Sequence, residues 1–186
     1  GEFARDVSRI GRALLLLIED LALWARLRAG TRALAVHPAA AVTAAAVALH
    51  RTLAGPASLV LVVAVPEGLR VGTDLVLAQT LVRNLLANAL KFARSQVELR
   101  AECTAEGVRF SVRNDGAPLP PEVAARFTAN LDEPLSATGG LGLRLCREIC
   151  QALGTRLEAV SVAGGGTEFA FTLREAAAGE KSLHPF

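Results

Sequence analysis

Three cysteines in 186 residues, an odd number with no CxxC pair, leave this chain without a disulfide framework and fit a reducing compartment. Cys146 and Cys150 stand one helical turn apart, but no nearby His or Cys completes a tetrahedral metal set, so they read as small buried hydrophobes. Aromatic residues are only 4% of the chain, and the net charge of +2 is too small to argue for nucleic acid or an anionic membrane surface as a partner. No apolar run is long enough to span a bilayer: the stretch 39–49 is mostly alanine, and 14–24 is interrupted by Glu19 and Asp20. There is no signal peptide and no internal repeat. Gly1-Glu2-Phe3 reads as a cloning remnant, so the natural chain is expected to begin earlier, and a membrane anchor could lie upstream. What remains is 52% hydrophobic and 20% charged, enough for one packed domain with an extra element.

Apolar residues at Val7, Ile10, Leu14, Leu17, Leu21 and Trp24 step by threes and fours, which predicts one amphipathic helix over 4–29, closed by Gly30. Leu15, Leu16, Ile18 and Leu23 widen its stripe, as in a helix of a bundle. Beyond it helices and strands alternate. Strands are predicted at 33–37 (ended before Pro38), 58–65, 69–72 (pairing back on the preceding strand), 96–103, 108–113, 157–162 and 167–173. Helices are predicted at 39–53, 73–93, 122–127 and 141–153. The fold class is α+β: a two-layer α/β sandwich, a mixed sheet with helices on one face, preceded by the long bundle helix. The expected domains are 1–30, 31–175 and a flexible tail over 176–186.

The run LVRNLLANALKFA carries the chemistry. Asn84, Asn88 and Lys91 are spaced i, i+4, i+7 and fall within a narrow arc of a helix turning about 100° per residue. Leu75, Ala78, Val82, Leu85, Leu86, Ala89 and Ala93 occupy the opposite side. Two carboxamides can hold a hydrated magnesium ion, and the lysine is a point charge suited to phosphate. Downstream, Asn114-Asp115-Gly116 leaves a strand. Its Asn oxygen can accept from an exocyclic amine such as adenine N6, although an ordinary Asx turn has the same composition. Thr138-Gly139-Gly140-Leu141-Gly142-Leu143 opens a helix whose backbone amides suit phosphate, and the irregular stretch before it could fold over a nucleotide as a lid. Gly164-Gly165-Gly166-Thr167 makes a glycine hairpin, with Thr167 within reach of a phosphate.

In this order the four pieces resemble the ATP-binding catalytic domain of sensor histidine kinases, an ATPase class shared with gyrase, Hsp90 and MutL. The resemblance covers about residues 31–175. The segment LLLLIEDLALWARLRAG is similar to the second helix of the kinase dimerisation domain. It implies ATP and Mg2+ as cofactors, with Asn88 as the magnesium ligand and Asn84 and Lys91 as catalytic residues that also bind nucleotide. Phe92 would pack near the adenine, Asn114 and Gly116 would meet the base, and Gly140, Leu141, Gly142, Leu143 and Thr167 would surround the phosphates. Asn114 stands where the family has Asp, Pro118 where it has a second glycine, and Thr138 where it has a glycine at the end of a longer lid. The implied partners are a phosphoacceptor helix of the same kinase, a response regulator and a second copy joined through the bundle helix. The implied location is cytoplasmic, as a free protein or the inner part of a membrane-anchored receptor.

The family's acceptor, a histidine with an acidic neighbour on the first bundle helix, is absent from this sequence. His50 lacks that neighbour, and His37 and His184 are poorer matches. An alternative reading is a non-catalytic kinase-like or phosphotransferase module that docks partners. An anti-sigma-type serine kinase is remoter, since such proteins lack the bundle helix. Without an acceptor, this chain alone should take up no label from γ-labelled ATP and magnesium, and radiolabel on the isolated chain would contradict that.

Overall fold

The computed structural model describes residues 33–53, 59–121, 123–124 and 141–177, together with 22, 23, 25 and 27; for 51–53 and 141 the backbone alone is described. The chain divides into two compact units, 1–32 and 33–186. The four described positions of the first unit are helical. Residues 123 and 124 of the short helix expected over 122–127 are helical; the rest of it, the remainder of the helix expected over 4–29, the lid over 128–140 and His184 lie outside the described residues.

The second unit runs β1 (Leu34–Pro38), α1 (Ala39–Leu53), β2 (Val60–Ala64), β3 (Arg70–Asp74), α2 (Leu75–Phe92), β4 (Gln96–Thr104), β5 (Gly107–Asn114), α3 (Leu141–Ala152), β6 (Glu158–Ser161) and β7 (Thr167–Leu173). Five strands form a mixed sheet in the order β2-β4-β5-β7-β6, parallel between β2 and β4 and antiparallel elsewhere. Side chains alternate across it. Val97, Leu99, Val108, Phe110, Val112, Phe169 and Phe171 are buried on the face covered by α2, which packs between α1 and α3. Three of the eight aromatics lie here: Phe110 and Phe171 are register partners, and their rings stack with centroids 5.3 Å apart. The opposite face is charged, with Arg109 pairing to Glu158 (2.6 Å) and Glu168 (3.5 Å), and Arg100 to Glu98. The expected two-layer, mixed-sheet architecture is therefore the observed one. No described helix is long and apolar enough to cross a membrane. Cys146 and Cys150 are buried as small hydrophobes, and burial pushes the Cys150 thiol up to about 12.

Three expectations are corrected. The strand expected over 69–72 does not pair back on β2. Gly68, at φ 88°, turns the chain out of the large sheet, and β3 pairs antiparallel with β1 in a sheet of its own. The free side of β3 is taken by the segment after β7: Gly72 N–H donates to the Arg174 carbonyl and Ala176 N–H to the Arg70 carbonyl, both at 3.0 Å. With partners on both sides, β3 has no bonds left for β2. That contact also moves the expected tail boundary, because Ala176 is buried and bonded. Pro38 lies inside β1 opposite Arg70, a place open to proline because β1 is an edge strand.

One buried carboxylate joins these parts. Asp74 ends β3 and caps α2: its Oδ1 accepts from the N–H groups of Val76 (3.1 Å) and Leu77 (3.2 Å), and its Oδ2 accepts from Ala33 N–H (2.9 Å). Asp74→Ala removes three bonds in a site 1% exposed. It should lower the free energy of unfolding by about 1–2 kcal/mol, the range for a lost cap, read as a lower midpoint in urea denaturation.

Candidate functional site

α2 sets the site because its two sides differ. Leu77, Ala78, Leu81, Val82, Leu85, Leu86 and Ala89 are buried toward the sheet and the flanking helices. Leu75 and Ala93, expected in that stripe, are half-buried at the helix ends. Asn84 and Asn88 remain half-buried, while Lys91 and Phe92 are exposed. The Asn84 amide NH2 donates to the Thr80 carbonyl (2.9 Å). Its Oδ1 faces the first turn of α3, where a Cβ on Gly142 would meet it at 3.4 Å. The Asn helix and the glycine-started helix thus meet through Asn84 and Gly142. Leu143 follows half-buried in the same turn, Leu141 begins α3, and Gly140 lies outside the described residues. The Asn88 side chain makes no hydrogen bond among the described residues. The Lys91 ammonium lies 5.3 Å from the centre of the Phe92 ring, whose side is 54% exposed.

The other end is built from backbone contacts. A Cβ on Gly116 would lie 1.9 Å from the Phe92 carbonyl oxygen, so no side chain fits between the Asn114 loop and the end of α2. Gly166, at φ 102°, is pressed likewise against the Asn114 carbonyl, where a Cβ would come within 2.1 Å. The glycine hairpin therefore backs the Asn114 loop. Thr167 is 4% exposed and its hydroxyl donates to the Ala117 carbonyl (3.2 Å), while Ser161 donates to that of Leu119 (3.1 Å). In this arrangement Thr167 braces the loop, and a phosphate contact would require it to give up that bond. Asn114 is buried on the inner face of β5, and its Oδ1 accepts the Gly116 N–H (2.9 Å), the Asx-turn geometry.

Asp115 plays a part that the motif alone did not reveal. Its carboxylate accepts from Arg94 N–H (2.8 Å), Ser95 N–H (3.0 Å) and the Ser95 hydroxyl (2.5 Å), lashing the loop to the exit of α2. The sequence signal for it is an Asp beside the Asn-Gly turn and a Ser just past a predicted helix end, but their pairing is long-range. These bonds, led by that from the Ser95 hydroxyl, hold the Asp115 carboxyl well below the usual carboxylate range.

Among the described residues no cluster of three or more His, Cys, Asp or Glu could cage a metal. A cation here would rest on amide oxygens, water and an anionic ligand. Asn88, half-buried and with no side-chain partner among the described residues, fits a hard ion of that kind.

Residues 73–177 match the family described as histidine kinase-, DNA gyrase B-, and HSP90-like ATPase. The sensor histidine kinase AruS of Pseudomonas aeruginosa is 35% identical over 126 residues, which cover 61% of this chain and 12% of that protein. The non-motile and phage-resistance protein of Caulobacter vibrioides is 29% identical over 185 residues, 92% of this chain and 22% of its own length. Full-length ShkA, solved in complex with AMPPNP, superposes with a TM-score of 0.71 at 27% identity, covering 89% of this chain and 36% of that one. The chain spans between 12% and 26% of the curated relatives it matches.

Since Asp115 has a folded-state pKa below its unfolded one, its stabilisation is complete above about pH 5 and drains away as the pH falls through the carboxylate range and on toward the folded-state value. Asp115→Asn should therefore lower the melting temperature at neutral pH. The gap from the unaltered chain should narrow between about pH 5 and pH 3. A gap that stays constant across that range would show that the carboxylate's charge is not what holds the loop.

Proposed function

The chain belongs to the histidine kinase-, DNA gyrase B-, and HSP90-like ATPase family as the ATP-binding catalytic domain of a sensor histidine kinase, and from that premise we propose that it transfers the γ-phosphoryl group of magnesium-ATP to a histidine on a dimerisation helix. The observation that carries this reading is the convergence of three segments: the Asn face of α2, the glycine-started turn of α3 against Asn84, and the Asn114 loop clamped to the end of α2.

In this reading Asn88 supplies an oxygen to the ion, and Asn84 positions the first turn of α3 whose amides, with Gly140, Leu141, Gly142 and Leu143, receive phosphate oxygens. Lys91 adds a cation that can swing to the phosphates, since among the described residues its contact is with the Phe92 ring alone. The exposed ring of Phe92 offers a stacking surface beside Gly116 and Asn114, which receive the base. Thr167 acts by bracing that loop. The bound magnesium would neutralise phosphate charge. The protein's own work is positioning and preorganised charge: the P–O bond to the ADP oxygen breaks as a P–N bond forms to a neutral imidazole brought by the acceptor helix.

The segment 4–29, a helix on its sequence pattern, is then part of the dimerisation bundle, and residues 1–32 are one of the two compact units of the chain. The natural assembly is a homodimer through that bundle, located in the cytoplasm, with a response regulator taking the phosphoryl group. The relatives are sensor kinases, which favours this over a docking module that has lost its chemistry.

Calorimetric titration with a magnesium-ATP analogue should give binding near micromolar. Asn88→Ala should weaken it more than tenfold while leaving the melting temperature nearly unchanged, because the Asn88 side chain makes no hydrogen bond among the described residues. Equal affinity in the variant would remove Asn88 from the site, and no binding by the unaltered chain would return the docking module to first place.

A further inference from the structure

We propose that the outer edge of β2 docks on the same edge of a second copy of this chain, the two strands pairing antiparallel about a two-fold axis at Val62. Among the described residues β2 ends the five-stranded sheet and pairs with β4 alone. The Val60 N–H donates to the Ser95 carbonyl at 2.8 Å, and bonding in a parallel ladder alternates along the strand, so Val60, Val62 and Ala64 turn their main-chain groups toward β4. The N–H and C=O groups of Leu61 and Val63 therefore point away from the sheet, and such a row is a template for another strand. Nothing in the side chains guards it: from Leu59 to Val65 there is no charge and no proline. The opposite edge of the sheet is different. There β6 has only four residues and carries Glu158, paired to Arg109, and Ser161, bonded to the Leu119 carbonyl. In the small sheet the edge strand β1 contains Pro38.

Both faces of β2 are apolar and open. On the inner face Leu61 and Val63 lie beside Val97 and Leu99, which are fully buried, yet Val63 is 42% exposed. On the outer face Val60 is 56% and Val62 38% exposed. This chemistry selects the occupant. A polar strand would gain main-chain bonds only, whereas an apolar one would also cover the valines, and the strand's own sequence is such a partner. With Val62 on the axis, Leu61 stands opposite Val63 of the second copy, and each such pair exchanges two N–H···O bonds. Every outward main-chain group of the strand is then used. Val62 meets Val62 of the second copy in the close, non-hydrogen-bonded pair, and Val60 meets Ala64, so apolar faces apolar on both sides of the seam. None of these residues belongs to the nucleotide site proposed above. A seam of one short strand is a small interface that exchanges readily, so covalent trapping is the means to catch it.

The test is disulfide trapping of the full chain in a Cys103→Ser background, which removes the exposed native thiol. Across the axis the two Val62 Cα atoms would stand about 4.5 Å apart, within reach of a disulfide, whereas the two Val60 positions would be separated by roughly 14 Å. Diamide should therefore convert Val62→Cys to a covalent dimer roughly tenfold faster than Val60→Cys, or more, although Val60 is the more exposed of the two. Adding Val63→Pro to Val62→Cys should abolish trapping, because proline removes an outward N–H and leaves the bonds to β4 in place. Equal or faster trapping at position 60 would mean random collision. No trapping at either position would mean an edge that is free or held by a different partner. Trapping that persists in a folded Val62→Cys, Val63→Pro chain would mean contact without strand pairing. Any of these results overturns the proposal, and the two single cysteine variants decide it alone if the proline variant does not fold.

Discussion

The burial of one side of α2 is the constraint on which the rest depends. Seven residues from Leu77 to Ala89 are driven out of water against β4, β5 and the flanking helices, and each turn that buries them swings Asn84, Asn88 or Lys91 the other way. The polar row is thus held at a fixed height and angle by a packing energy to which it contributes nothing. Asp74 sets where the helix begins, and the Asp115 lashing sets where its exit goes. Between those two carboxylates the helix has no freedom to rotate and carry the amides away from Gly142.

The base end relies on a different kind of rigidity. Gly116 against the Phe92 carbonyl, and Gly166 against that of Asn114, are contacts of main chain with main chain, closer than any side chain would permit. Such contacts leave no rotamers to adjust. A loop so placed presents Asn114 in a single pose, with its Oδ1 on the Gly116 N–H.

Much of this was legible in the residues. The period of 3.6 in LVRNLLANALKFA separated core from polar row because helix geometry is local. The alternation in β4, β5 and β7 likewise reported a sheet with one wet side. The pairing of β3 was not legible. Pro66-Glu67-Gly68 announces a turn, but whether the chain comes back on β2 or leaves for β1 is decided by residues far along the sequence, including Arg174 and Ala176. The roles of Asp115 and Thr167 were hidden for the same reason. Their partners, Ser95 and Ala117, belong to other segments, and nothing in the local pattern distinguishes a side chain aimed at a ligand from one aimed at a neighbouring carbonyl.

The small sheet has a consequence for how the polypeptide is made. Its middle strand, β3, is bonded on one side by β1, which precedes it, and on the other by residues that follow the last strand of the large sheet. A nascent chain can therefore assemble α1, β1, β3 and α2 early, yet it leaves one rim of β3 unsaturated until Ala176 has cleared the ribosomal tunnel. Closure of the domain thus waits for residues made after its last strand, and a chain cut short of Ala176 would hold a nearly complete but unsealed domain.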